Sequence, residues 1–198
     1  MISVVRRSAV QWKQHNKTSY MEQKNDFEVR IRENLRRYLL EQGLIDERMP
    51  ECPDVEDKWR EVGEAYLPDG VREYGAWPTV SLGWMMFVGM ALARLWDTDW
   101  ENCGSRTDLY TSLRDARGYD SMDDHIMEDV LALEEDSRKK TSALVAECAG
   151  RTDSMLRHEN IEPGTPEAFR AYVACLHQLY LMGMAVELKA LGYRMTKA

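Results

Sequence analysis

The densest group of side chains able to bind a metal ion lies in a ten-residue acidic segment, Asp120–Asp129. On a helix, Asp124 and Glu128 lie one turn apart, and His125 and Asp129 do so as well. Either pair is spaced to hold a divalent cation between neighbouring side chains. The candidate ligands of the whole segment are Asp120, Asp123, Asp124, His125, Glu128 and Asp129. Magnesium bound here could bridge to a diphosphate and neutralise the charge of the leaving group.

Three of these residues match a motif of a known enzyme family. Asp123, Asp124 and Asp129 have the spacing DDxxxxD, and the segment resembles the aspartate-rich motif of isoprenoid synthases, which are also all-α. The resemblance covers seven residues of a chain much shorter than those enzymes, whose second aspartate-rich helix has no counterpart here. It implies a magnesium-dependent reaction of a diphosphate, with these three aspartates holding the ion.

The same segment has a purely structural interpretation. Ser121 and Asp124 form a capping-box pattern that predicts the beginning of a helix. Acidic side chains in a first turn interact favourably with the helix dipole and face water. The two interpretations remain open at this point.

Outside this segment, the sequence offers little catalytic chemistry. His177 lies among apolar residues of the last helix, where a half-buried imidazole could carry a proton or could simply be a satisfied core residue. No phosphate-binding loop occurs, and no Ser or Cys nucleophile can be paired with a base. Whether the chain is an enzyme is therefore left undecided.

Helical periodicity explains most of the chain, and no segment has the pattern of a strand. Amphipathic helices are predicted to begin near Asn25, Asp54, Ser105, Ser121 and Thr165. The helix after Asp54 is predicted to end at the Pro68-Asp69-Gly70 sequence, because such residues are typical of turns.

Two helices stand out because they are almost entirely apolar. Val80–Trp96 is apolar on nearly every side, as expected of a central helix. The other has Thr165 as its N-cap, apolar residues from Phe169 to Leu191, and Gly192 after its end. The uninterrupted apolar part of the first is shorter than the roughly 20 residues that cross a bilayer, so no membrane association is expected. We predict an all-α, single-domain bundle of about six helices with these two at its centre.

The two apolar helices also resemble each other. A shift of 94 residues places Gly89-Met90-Ala91 on Gly183-Met184-Ala185, and Gly70 on Gly164. Such similarity is typical of an internal duplication, although small residues recur in helices by chance. If the helices are equivalent, they should pack around a local two-fold axis.

Composition and charge limit the location and the partners. Residues 1–24 are predicted to form a basic, flexible N-terminal tail, and residues 25–198 a single helical domain. The first twenty residues hold four bases and no acid, which leaves 22 bases against 34 acids in the rest. This acidic body disfavours nucleic-acid binding. The four cysteines form no metal-binding pattern and no signal peptide is evident, so a reducing, cytoplasmic location is expected.

These observations favour a self-associating interaction or scaffold protein that acts as a homodimer. The main reasons are the two apolar helices and the many methionines and tryptophans, which suit adaptable contacts. No cofactor is expected under this interpretation. The alternative is a divalent-metal-dependent enzyme that uses Asp120–Asp129 on a phosphorylated or diphosphate small molecule whose identity the sequence does not give.

Overall fold

A computed structural model describes residues 26–194, which contain helices and no strand. The elements are α1 (26–41), α2 (Pro53–Glu56), α3 (Trp59–Tyr74), α4 (Pro78–Cys103), α5 (Leu109–Arg117), α6 (Met122–His125), a π-helical turn (Ile126–Val130), α7 (Glu135–His158) and α8 (Pro166–Ala190). Helices α2 and α6 are single turns, so the predicted all-α bundle of about six helices is confirmed. The predicted tail at residues 1–24 lies outside the described part.

Helices α4 and α8 form the centre of the bundle, as predicted. Every residue from Ser81 to Ala93 in α4 is buried. The Ser81 and Tyr172 hydroxyls lie 2.6 Å apart near the beginnings of the two helices, and Arg94 pairs with Glu187 farther along both. The two helices therefore run in the same direction, which requires the long connection through α5, α6 and α7.

Two glycines allow the backbones of α4 and α8 to touch. A Cβ at Gly89 would overlap the carbonyl group of Tyr180, and a Cβ at Gly183 would overlap that of Met86. The 94-residue shift that aligns Gly89 with Gly183 also aligns Met86 with Tyr180, so each contact is the counterpart of the other. Reciprocal contacts of this kind are what a local two-fold axis between the helices requires.

Three helix ends follow local signals. The Thr165 hydroxyl accepts a hydrogen bond from the Ala168 amide at the start of α8, at a distance of 3.2 Å. Gly43 and Gly118 follow α1 and α5 with positive φ angles of 70° and 85°, a backbone conformation that glycine adopts without strain.

The predicted end of α3 at Pro68 is wrong. Helix α3 continues through Pro68, Asp69 and Gly70 to Tyr74. Pro68 lies on the exposed side of the helix, whereas Asp69 and Gly70 are buried against other helices. Tertiary packing therefore outweighs the local preference of these residues for a turn.

Helices α4 and α8 are long and apolar enough to cross a membrane by length and composition alone. In the bundle, 72% of the most apolar window of each helix is buried by the rest of the chain. Core helices of soluble proteins have the same property, so this burial favours the predicted role of both as core helices.

Candidate functional site

The acidic segment is placed by three short elements between α5 and α7. A 3₁₀ turn at Tyr119–Ser121 leads into α6, and the π-helical turn Ile126–Val130 follows directly. Ala132, just beyond, has a φ of 53°, which is uncommon for a residue with a side chain. π-Helical turns and such backbone angles occur often at functional sites. Ser121 occupies the predicted N-cap position but makes no side-chain capping bond.

Basic side chains neutralise the carboxylates in the second half of the segment. Arg117, the last residue of α5, contacts Glu128 at 2.6 Å and Asp129 at 2.8 Å. Arg138 of α7 also pairs with Glu128. The His125 ring nitrogen Nδ1 lies 2.8 Å from Asp129, as the predicted spacing of one turn requires. The hydrogen bond with His125 lowers the pKa of Asp129 most, and the hydrogen bond from Arg117 acts in the same direction.

The six predicted metal ligands do not share one environment. Asp120 and Asp124 are exposed, Glu128 and Asp129 face arginines, and Asp123 is half-buried on another side. Within residues 26–194, no three His, Cys, Asp or Glu side chains form a group that could hold a metal ion. The structure therefore adds no ligand geometry to the magnesium site, which stays a prediction from sequence.

Asp123 differs from the other five because it lines a cavity. The cavity lies between α4 and α7, has a volume of about 170 Å³ and includes Trp84 and Phe87 in its wall. Burial raises the pKa of Asp123, and the neighbouring negative charge of Asp124 acts in the same direction. Asp123 was predicted as a metal ligand from its acidic neighbours in the sequence. The apolar surface beside it comes from α4 and α7 and is not evident from the sequence.

His177 is held between two helices. Its ring stacks on Trp59 with the centroids 4.7 Å apart, and its Nδ1 lies 3.6 Å from a carboxylate oxygen of Glu28. Burial lowers the pKa of His177, although Glu28 opposes this effect. The adjacent Gln178 side chain donates to the same carboxylate at 2.9 Å. These contacts join α1, α3 and α8, and they favour the structural interpretation of this histidine.

A buried set of hydroxyl groups joins α3, α4 and α8 near the beginnings of the two central helices. The Ser81 hydroxyl donates to the Gly70 carbonyl at 2.8 Å and accepts from Tyr172 at 2.6 Å. The Tyr66 hydroxyl donates to the Ser81 carbonyl. Burial raises the pKa of Tyr172, so this hydroxyl stays protonated at neutral pH. Each of these groups has a partner, which is typical of a structural network.

Asp69 extends the network toward α5. Its carboxylate accepts hydrogen bonds from Tyr110 at 2.8 Å and from Arg114 at 3.0 Å. Burial by itself would raise the pKa of Asp69, but the hydrogen bonds from Arg114 and Tyr110 outweigh it and the pKa is lowered. Sequence reasoning treated Asp69 as a turn residue and missed this role, because both partners lie about 40 positions away in the chain.

A wide, open groove of about 940 Å³ lies at one end of the bundle. It lies where α4 and α8 begin, between the end of α3 and the end of α7, and its wall is mostly apolar. Val71 and Phe169 line it and are 50% and 47% exposed. Trp77, between the lining residues Ala76 and Pro78, is 62% exposed.

Comparisons with protein families, with curated proteins and with solved structures give no match to this chain. Its function is therefore inferred from the geometry of the molecule.

The groove was not predicted from the sequence, although Trp77 offered a signal. It stands directly before Pro78, the first residue of α4, where a helix begins and side chains tend to be exposed. An amphipathic pattern predicts which residues of one helix turn inward, but it does not reveal a recess formed by the ends of four helices.

Proposed function

We propose that this chain is a helical interaction protein that forms a homodimer through the groove and Trp77. The observation that carries the proposal is the exposure of large apolar side chains around one recess. Exposed apolar surface concentrated in one place is typical of binding sites, whereas isolated exposed apolar residues are common everywhere.

A second copy of this chain is the proposed occupant of the groove because Trp77 and the groove lie side by side. In a two-fold dimer the same patch meets itself, so it must carry both a projection and a recess. Trp77 is the projection, and the neighbouring groove is the recess. Its volume of about 940 Å³ is at the upper end of the range for pockets that enclose whole small molecules, so an indole ring has room to enter.

Charge also favours a second copy at this place. The whole chain has a formal net charge of −8, which makes two copies repel each other on average. The charged side chains in the groove wall are Arg157 and Glu159, and each is paired within the chain, with Asp153 and Arg30 respectively. The groove is therefore a neutral surface on an acidic protein.

The buried cysteines agree with the proposed cytoplasmic location. Cys52, Cys103, Cys148 and Cys175 are all free and buried. Burial raises the pKa of Cys148 to about 12, which keeps its thiol protonated and unreactive. Stability in the described region thus does not depend on a disulfide.

Sedimentation equilibrium of the full chain over a range of concentrations tests the dimer. We expect Trp77→Ser to weaken dimerisation by about tenfold or more, because a central aromatic side chain often dominates an interface. Tyr193→Ser is the matched control, since Tyr193 is also an exposed aromatic residue but follows the far end of α8. A chain that stays monomeric at about 100 µM, or a dimer that both variants weaken equally, would contradict the proposal.

A further inference from the structure

A separate cavity, on the side of α4 that faces α7, has the composition of a ligand site. The residues that matter are Trp84 and Phe87 of α4 and Asp123 of α6. The two aromatic rings have centroids 6.2 Å apart and are each only 6% exposed. The wall is mostly apolar, and Asp123 is the one charged residue in it within the described part of the chain.

The carboxylate of Asp123 lacks a positive partner in the described part of the chain. Glu128 and Asp129, from the same acidic segment, contact Arg117, and Asp129 also contacts His125. The Asp123 carboxylate accepts a hydrogen bond from the backbone amide of Asp124, at 2.9 Å. A half-buried carboxylate beside apolar walls gains from a cation placed next to it, because burial weakens its interaction with water.

We propose that this cavity binds a small organic cation, an amine or ammonium with a short apolar body, whose positive charge pairs with Asp123. Trp84 and Phe87 supply apolar surface for the body of the ligand. Magnesium is a poorer occupant because it requires about six oxygen ligands, whereas the wall has one carboxylate, from Asp123, and two residues with hydroxyl groups, Thr79 and Ser142.

The cavity is open to solvent on one side, and its volume suits a small ligand. It measures about 170 Å³, close to the roughly 150 Å³ of an engineered apolar cavity that holds benzene. The ligand is therefore about as large as benzylamine. This site is separate from the groove with Trp77, so the test of one proposal does not depend on the other.

Isothermal titration calorimetry at pH 7.5 with benzylamine tests the proposal, and benzyl alcohol serves as the neutral probe of the same shape. We expect saturable one-to-one binding of benzylamine, at least about tenfold tighter than that of benzyl alcohol. Asp123→Asn should weaken benzylamine binding by about tenfold and leave that of benzyl alcohol unchanged. Asp124→Asn removes the same charge from the next, exposed residue and should change binding by less than about twofold.

Ala146→Phe provides a second, independent variant. Ala146 lines the cavity from the exposed side of α7, so a phenyl ring there fills the cavity without entering the core. We expect benzylamine binding to disappear while the melting temperature is retained. The proposal is overturned if benzylamine does not saturate below about 10 mM, if it binds no better than benzyl alcohol, or if Asp123→Asn and Asp124→Asn have equal effects.

Discussion

The crossing of α4 and α8 and the acidic segment Asp120–Asp129 were both conspicuous in the sequence. In the structure, the crossing is a close backbone contact, whereas the acidic segment makes ion pairs at the surface. At the crossing, two backbones touch at Gly89 and Gly183, and no larger side chain fits. In the acidic segment, side chains reach outward and meet arginines from other helices. A pattern imposed by close packing thus predicts structure more directly than a pattern of exposed charges does.

The largest loss of stability is expected from substitutions at the crossing of α4 and α8. Gly89→Ala and Gly183→Ala each place a Cβ into a backbone carbonyl of the facing helix. A rigid backbone cannot turn away as a side chain can, so we expect each change to lower the free energy of unfolding by about 3 kcal/mol or more. Urea denaturation followed by circular dichroism gives this quantity.

Gly150→Ala is the matched control for these two variants. Gly150 lies inside α7, and a Cβ there would have no atom within 4 Å. Alanine should therefore stabilise the helix by roughly 0.5–1 kcal/mol, the opposite sign. If Gly89→Ala and Gly150→Ala have similar effects, the two helices do not touch as described.

A smaller effect is expected from the buried hydroxyl groups beside the crossing. Ser81→Ala removes one partner from both the Tyr172 hydroxyl and the Gly70 carbonyl. A buried polar group left without a partner costs about 1–3 kcal/mol, so we expect a loss of unfolding free energy in that range. Tyr172→Phe should cost less, because Ser81 keeps its bond to Gly70. An equal loss in both variants would mean that the bond between Ser81 and Tyr172 accounts for the effect and that the bond from Ser81 to Gly70 adds nothing.

The features that the sequence predicted depend on local patterns, and the features that it missed depend on contacts between distant parts of the chain. Apolar periodicity and caps such as Thr165 are local, and they predicted most of the helices, the two central elements and the end of α8. The continuation of α3 through Pro68 was missed, because Asp69 is held by Tyr110 and Arg114 from a distant part of the chain. The cavity at Asp123 was missed for the same reason, since its aromatic wall comes from α4.

A still smaller effect is expected in the acidic segment. Arg117→Gln breaks the contacts with Glu128 and Asp129, but these side chains are partly exposed and Arg138 still pairs with Glu128. Exposed ion pairs contribute little to stability and are screened by salt. We expect a smaller loss than for Ser81→Ala, and we expect it to shrink further in about 0.5 M NaCl. A salt-independent loss would indicate that Arg117 acts through packing.

The smallest effect is a pH dependence at Asp129. Hydrogen bonds from His125 and Arg117 hold its pKa below the ordinary value of 3.8, which means that the folded protein favours the charged form. Stability from this group is therefore present above about pH 4 and is lost as the pH falls through the lowered pKa. Wild type should be more stable than Asp129→Asn at pH 5 to 7, and the difference should decrease below about pH 4. Urea denaturation of both proteins at each pH measures it. A difference that stays constant down to about pH 2.5 would show that the carboxylate charge is not the cause, and that the acidic segment, like the crossing, is held by shape.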